Sequence, residues 1–141
     1  KNNPRKINDV LGVSGRLVKS GNSVVQAGSL VFGGSHHVAS AVIEVSKKFP
    51  EIRSALNIKY EKKIISKARK RKLTVLSYDR TKEPKKSKLK ENSSIKWGIS
   101  NCLKSNPPDL IFHKGDFGKE PMIIVFGNEP SDVIKKIQMI R

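Results

Sequence analysis

Two short runs, "DLIF" at 109–112 and "MIIVFG" at 122–127, are apolar at consecutive positions rather than at alternate ones. A strand written this way has no face to turn to water, so both faces need a cover. The cover is written into the rest of the chain. Residues 35–48 carry Val38, Ala41, Val42 and Val45 on one helical stripe, and residues 61–71 carry Ile64, Ile65 and Ala68. Residues 94–104, with Trp97 and Cys102, and residues 132–140 read as two more helices. Strands are expected at 55–60 ("ALNIKY") and 73–79 ("LTVLSYD"). Strands and helices interleave, which implies a three-layer α/β/α domain. "GRLVKSGNSVVQAG" at 15–28 reads as a hairpin around Ser20, Gly21 and Asn22, which argues for a mixed sheet rather than a purely parallel one.

Local punctuation supports these elements. Ser35 and Ser131 are suited to cap the first and last helices, and Pro50 and the Pro107-Pro108 pair mark helix ends. Residues 81–93 are polar and poor in apolar side chains, as expected of a mobile loop or lid. At 141 residues the chain is one domain able to bury a real core. It begins at Lys1 and reads as a piece of something longer.

The formal charge is +17, from 29 basic and 12 acidic residues. Such a field favours anionic partners: nucleic acid, a membrane surface or phosphorylated small molecules. Surface lysine is also a thermophile trait. "KARKRK" and "KEPKKSKLK" look like nucleic-acid patches, but no aromatic is interleaved with them and no helix-turn-helix or ribonucleoprotein signature is present. They read as a solvated helix face and a solvated loop, and direct nucleic-acid binding by this domain is not expected. No run approaches the roughly 18 apolar residues of a membrane span, and no signal peptide is visible. The single Cys102 cannot form an internal disulfide and reads as a small core residue, consistent with a cytoplasmic setting.

Three segments concentrate glycine and polar groups at expected strand or helix ends. In "GGSHH", Gly34 would let a phosphate approach the backbone, and Ser35 would open a helix whose free N–H groups favour an anion. His36 or His37 could donate a hydrogen bond or a proton there. In "HKGDFGKEP", Lys114 and Lys119 supply positive charge around Gly118, and Asp116 and Glu120 supply oxygen ligands for a Mg²⁺ ion. No Ser or Thr follows Lys119, so this is not a Walker loop. "SYDR" offers Asp79 and Arg80 as substrate contacts. Each segment also has a plain reading: a packed histidine, an ordinary glycine-rich connection, a solvated ion pair.

Taken in order, "INDVLGVSGRL", "FGGSHHVASAV", "EIRSALNIKY", "SYDR" with the following "EP", "SIKWGI" and "PDLIFHKGDFGKEPMIIVFG" resemble the ThiN-type thiamine-phosphate synthase domain over nearly the whole chain. The resemblance implies a class II aldolase-like α/β/α fold with a mixed sheet. It implies a reaction that joins hydroxymethylpyrimidine diphosphate to hydroxyethylthiazole phosphate, releasing pyrophosphate, with Mg²⁺ expected on the diphosphate. Arg16 and His37 match the family's catalytic positions, and His36 falls where the family varies. Asn57, Asp79 and Arg80 are implied substrate contacts; Gly118, Lys119 and Glu120 mark a second phosphate or metal region. His113 stands where an acidic residue is expected. Family members sit downstream of a hydroxymethylpyrimidine kinase domain or are fused to a helix-turn-helix domain as thiamine-responsive repressors. The alternative function is therefore a sensor that binds thiamine phosphate without turnover. A homo-oligomer is compatible with either.

Overall fold

The computed structural model describes residues 3–88 and 93–141. In chain order its elements are β1 (Leu11–Val13), β2 (Leu17–Ser20), β3 (Ser23–Gln26), β4 (Leu30–Phe32), α1 (His36–Ser46), β5 (Ser54–Lys59), α2 (Lys62–Lys70), β6 (Val75–Ser77), α3 (Lys85–Lys88), α4 (Ser93–Cys102), β7 (Leu110–His113), β8 (Met122–Gly127) and α5 (Pro130–Ile140). Short 3-10 turns at Ile7–Asp9 and Arg80–Lys82 complete the set.

The central sheet has the strand order β5-β8-β7-β6. β6 and β7 are parallel, and β8 is antiparallel to both β5 and β7. β5, β6 and β7 therefore run the same way and end at the same edge. On one face, Ala41 and Val45 of α1 and Ile95, Ile99 and Cys102 of α4 pack on Leu76, Ile111, Ile124 and Phe126. On the other, Ile65 and Ala68 of α2 and Val133 and Ile140 of α5 pack on Leu110, Phe112, Ile123 and Val125. Successive residues of β7 and β8 thus feed opposite cores, which is why both strands are apolar without alternation. Phe126 is fully buried, and its truncation to Ala is expected to cost about 3–5 kcal/mol. Cys102 is buried in the first core, as a small apolar residue would be, and burial raises its thiol pKa to about 11.

The expected hairpin is present, but outside the sheet. β2 pairs with β3 and β1 with β4, all antiparallel. Ser14 N–H donates to the Ser29 carbonyl at 3.0 Å and Ala27 N–H to the Arg16 carbonyl at 2.7 Å, which joins the two halves into one ribbon. Its root lies against the start of α1: a Cβ on Gly34 would stand 2.5 Å from the Gly12 carbonyl oxygen. The sheet is mixed because β8 is reversed, not because of the hairpin.

Three smaller expectations are corrected. The last helix begins at Pro130 with Glu129 at the capping position, so Ser131 lies inside the first turn. Ser35 does hold the capping position of α1, but its side chain makes no capping bond. The stretch 81–93, expected to be a loop or lid, completes the 3-10 turn that Arg80 begins, forms α3 and buries Glu83; its residues 89–92 lie outside the described residues.

Candidate active site

The site forms where β6 and β7 end, under the first turn of α1. Leu76 and Ile111 face the α1/α4 layer, so two residues on, Tyr78 and His113 point the same way. Their rings meet at 5.3 Å between centroids, and Trp97 meets Tyr78 edge-on at 6.3 Å. Tyr78 leads directly to Arg80, which is buried and faces buried Glu83, Nη2 to Oε2, at 3.6 Å. Ser94 Oγ donates to the other Glu83 oxygen. From above comes His37, in the first turn of α1.

Four buried polar atoms in this cluster have no hydrogen-bond partner among the described residues: His37 Nε2, Tyr78 Oη, Arg80 Nε and His113 Nε2. Leaving one such atom unpaired costs about 1–3 kcal/mol, so four together in one place call for a ligand. The protonation states tell which kind. His113 Nδ1 accepts the Gly115 N–H at 3.1 Å, which puts the neutral ring's proton on Nε2, facing the cluster. Burial, then the charges of Arg80 and His37, lower the His113 pKa to about 4. Burial, then Arg80 and Lys119, also lower that of His37. Burial raises the Tyr78 pKa well above the ordinary phenol value, so its O–H remains a donor. Arginine, a phenol, a neutral imidazole N–H and a helix N-terminus make a donor-rich cradle for an anion.

The remaining candidates fall into place around it. Asn57 lies on the same sheet face near the same edge, and its amide reaches Met122 Sδ at 3.6 Å; Met122 is itself paired with His113. Lys119 is exposed at the mouth, close enough for its charge to act on His37. It closes a tight turn in which Asp116 and Lys119 exchange backbone hydrogen bonds of 3.1 and 2.8 Å around Phe117 and Gly118. Gly118 has φ +67°, a left-handed conformation that glycine adopts without strain.

Other candidates do not join the cluster. Asp79 accepts from Thr81 N–H at 3.0 Å and Thr81 Oγ1 at 2.7 Å, so it caps the turn that carries Arg80. Lys114 faces the α2 side, where with Lys62, Arg69 and Lys70 it lines a cleft of about 1120 Å³ that Tyr78 and Asp79 also border. Gly34 and Ser35 serve the junction of ribbon and helix. Arg16 is exposed on the ribbon, and the cations that act on His37 are Arg80 and Lys119.

The expected metal ligands do not assemble. Asp116 is tied to Lys88 Nζ at 2.6 Å and accepts the Phe117 N–H at 2.8 Å, and Glu120 is exposed. Among the described residues no group of three or more His, Cys, Asp or Glu converges to hold a metal ion. These residues do not fit a protein-held Mg²⁺.

The family model described as "Thiamine-phosphate synthase ThiN" matches residues 1–139. The chain belongs to the ThiN family. It is 38% identical over 135 residues to thiamine-phosphate synthase ThiN of Methanothermobacter thermautotrophicus, covering 94% of this chain and 71% of that protein. It is 38% identical over 143 residues to the bifunctional thiamine biosynthesis protein ThiDN of Methanocaldococcus jannaschii, covering 98% of this chain but only 32% of that protein. The crystal structure of the C-terminal domain of a phosphomethylpyrimidine kinase superposes with TM-score 0.88 at 46% identity, covering 97% of this chain and 78% of that one.

Of the residues that this ThiN domain brings together in the cleft, the sequence singles out His37 and Arg80 but not Tyr78 or Glu83, and His113 only as standing where an acidic residue is expected. Tyr78 sits two residues beyond the buried Leu76, and His113 two beyond Ile111. The alternation that places them was present; what was missing was which face of the sheet holds the cleft. No helix among the described residues is long and apolar enough to cross a membrane.

Proposed function

We propose that the cleft at the ends of β6 and β7 joins hydroxymethylpyrimidine diphosphate to hydroxyethylthiazole phosphate, releasing pyrophosphate and giving thiamine phosphate. The observation that carries this reading is the convergence of the four unpartnered atoms of His37, Tyr78, Arg80 and His113, all able to act as donors, in a domain of the ThiN family. In the reaction the thiazole nitrogen attacks the exocyclic carbon of the pyrimidine. The bond from that carbon to the diphosphate oxygen breaks, and its electron pair leaves with the diphosphate. Negative charge grows on that oxygen, so preformed cations and N–H donors lower the barrier. Holding both substrates in one cleft adds the proximity term.

Arg80 and the His113 N–H are suited to hold the diphosphate. His37, kept neutral by burial, donates a hydrogen bond to the leaving oxygens. Their negative charge would offset Arg80 and Lys119 and draw the His37 pKa back up as the substrate binds. Asn57 and Lys119 edge the cleft where a second phosphate could sit. Arg16 is assigned to the diphosphate as well, from the ribbon. Mg²⁺, if required, belongs in this reading to the substrate's phosphates, for the carboxylates nearby are engaged or dispersed. The closed α/β/α layers are read as class II aldolase-like, the reaction as cytoplasmic, and the upstream partner as a kinase domain like that of the bifunctional relative.

The test is synthase activity with both phosphorylated substrates and Mg²⁺, assayed as thiamine phosphate. Product that is lost in His37→Ala supports the reading. Binding of thiamine phosphate with no turnover would replace it with a sensor.

A further inference from the structure

Eight of the eleven large apolar side chains exposed among the described residues lie on the ribbon: Leu11, Leu17, Val18, Val24, Val25, Leu30, Val31 and Phe32. Phe32 is 68% exposed and Val24 67%. Register sorts them by face. Leu11 opposes Phe32 and Val13 opposes Leu30, so these four share one face of the inner half. In the outer half Val18 and Val25 share one face, while Leu17 and Val24 lie on the other. Every residue from 14 to 27 is exposed. A two-stranded ribbon with apolar side chains on both faces is marginal in water by itself and needs cover.

The occupant is indicated by charge and by area. Only Arg16 and Lys19 are charged between positions 11 and 32, in a chain of net charge +17. An anionic partner has every other surface to choose; this one is where two like-charged bodies meet at least cost. The eight residues, 39–68% exposed, present roughly 800 Å² over the two faces together, about what one partner contributes to a stable interface when it grips the ribbon on both sides. A two-fold axis would let each ribbon be covered by the same surface of the other copy.

Arg16 gives this arrangement a consequence for the site. It sits at the junction of the ribbon halves, about 13 Å of strand beyond Gly12, which abuts the start of α1. We propose that a second copy of this chain covers the ribbon, and that each ribbon thereby carries its Arg16 to the cleft of the other copy. The second half rests on the reading of Arg16 as a diphosphate-binding residue.

Sedimentation tests the interface. The chain should sediment at about twice 15.7 kDa at micromolar concentration, and Val24→Asp and Phe32→Asp should each yield folded monomers. A monomeric parent, or variants that stay dimeric, would overturn the interface. Complementation tests the arginine. Arg16→Ala and His37→Ala should be inactive alone, whereas after subunit exchange the mixture should recover about a quarter of parent activity, because half the dimers then hold one intact site. Dimers that recover nothing would overturn delivery of Arg16 between copies. Full activity of Arg16→Ala alone would instead remove the assignment of Arg16 itself, and leave the interface standing.

Discussion

Tyr78 fills the space that a side chain on Gly98 would need. A Cβ on Gly98 would stand 2.2 Å from Tyr78 Cε2 and 2.4 Å from Cδ2. Glycine inside a helix costs about 1 kcal/mol relative to alanine, so α4 gives up some stability at this position. In return the ring lies flat against the helix, and its hydroxyl enters the cleft beside His113.

Gly98→Ala should therefore separate stability from activity. The gain in helix propensity is opposed by overpacking of about 1–3 kcal/mol, so the melting temperature should fall modestly. Synthase activity should fall by about 10²-fold or more, the scale for losing one positioned donor. Tyr78→Phe should show the activity loss without the destabilisation. Wild-type kcat/KM in Gly98→Ala would show that the ring's position does not matter to the chemistry.

Stability should depend on pH through His113. In the folded chain its pKa is about 4; in the unfolded chain it returns to the ordinary 6.5. Between these values the unfolded state binds more protons, so stability rises with pH across this window and is lost as pH falls from 6.5 towards 4. His37, lowered by burial and then by the charges of Arg80 and Lys119, adds in the same direction. The loss should reach a few kcal/mol. Urea midpoints between pH 4 and 7 measure it. His113→Asn, whose side-chain oxygen can keep the bond from Gly115 N–H, should flatten much of the slope. A parent midpoint constant over that range would contradict a buried neutral His113.

How far the sequence disclosed this structure depends on the range of each signal. β7 and β8 were legible because burial on both faces is written in consecutive residues. His37 was legible because "GGSHH" opens a helix, and the helix periodicity after it is strong. The pairing of β1 with β4 was not, since three-residue runs carry no register. Glu83 was read as part of a polar loop, because nothing local says that Arg80 turns inward and takes it along. Asp116 looked like a metal ligand for want of knowing that Lys88, 28 residues away in the chain, reaches it.

That ion pair leads to a prediction about metal dependence. Asp116 is bonded to Lys88 and to the Phe117 N–H, so Asp116→Asn should leave the Mg²⁺ concentration for half-maximal activity unchanged. The partly exposed pair contributes at most about 1 kcal/mol. The visible effect should instead be a rise in KM, because the turn that carries Lys119 loses its tie to α3. A titration of Mg²⁺ in parent and variant distinguishes the two. A large shift in the Mg²⁺ requirement would return Asp116 to the role of ligand.

The pair of Arg80 and Glu83 should be the most sensitive spot in the site. Both side chains are almost wholly buried, 6% and 1% exposed, so each charge depends on the other for compensation. Removing one partner of such a pair costs about 3–5 kcal/mol, because the survivor stays buried and unpaired. Glu83→Gln keeps the volume and the bond from Ser94 but removes the countercharge. It should lower the urea midpoint strongly, and a bound diphosphate should restore much of the loss by supplying negative charge to Arg80. Midpoints measured with and without pyrophosphate decide this. Stabilisation of Glu83→Gln by pyrophosphate no greater than that of the parent would mean that Arg80 does not face the anion, and the cradle would have to be rebuilt around His37 and His113.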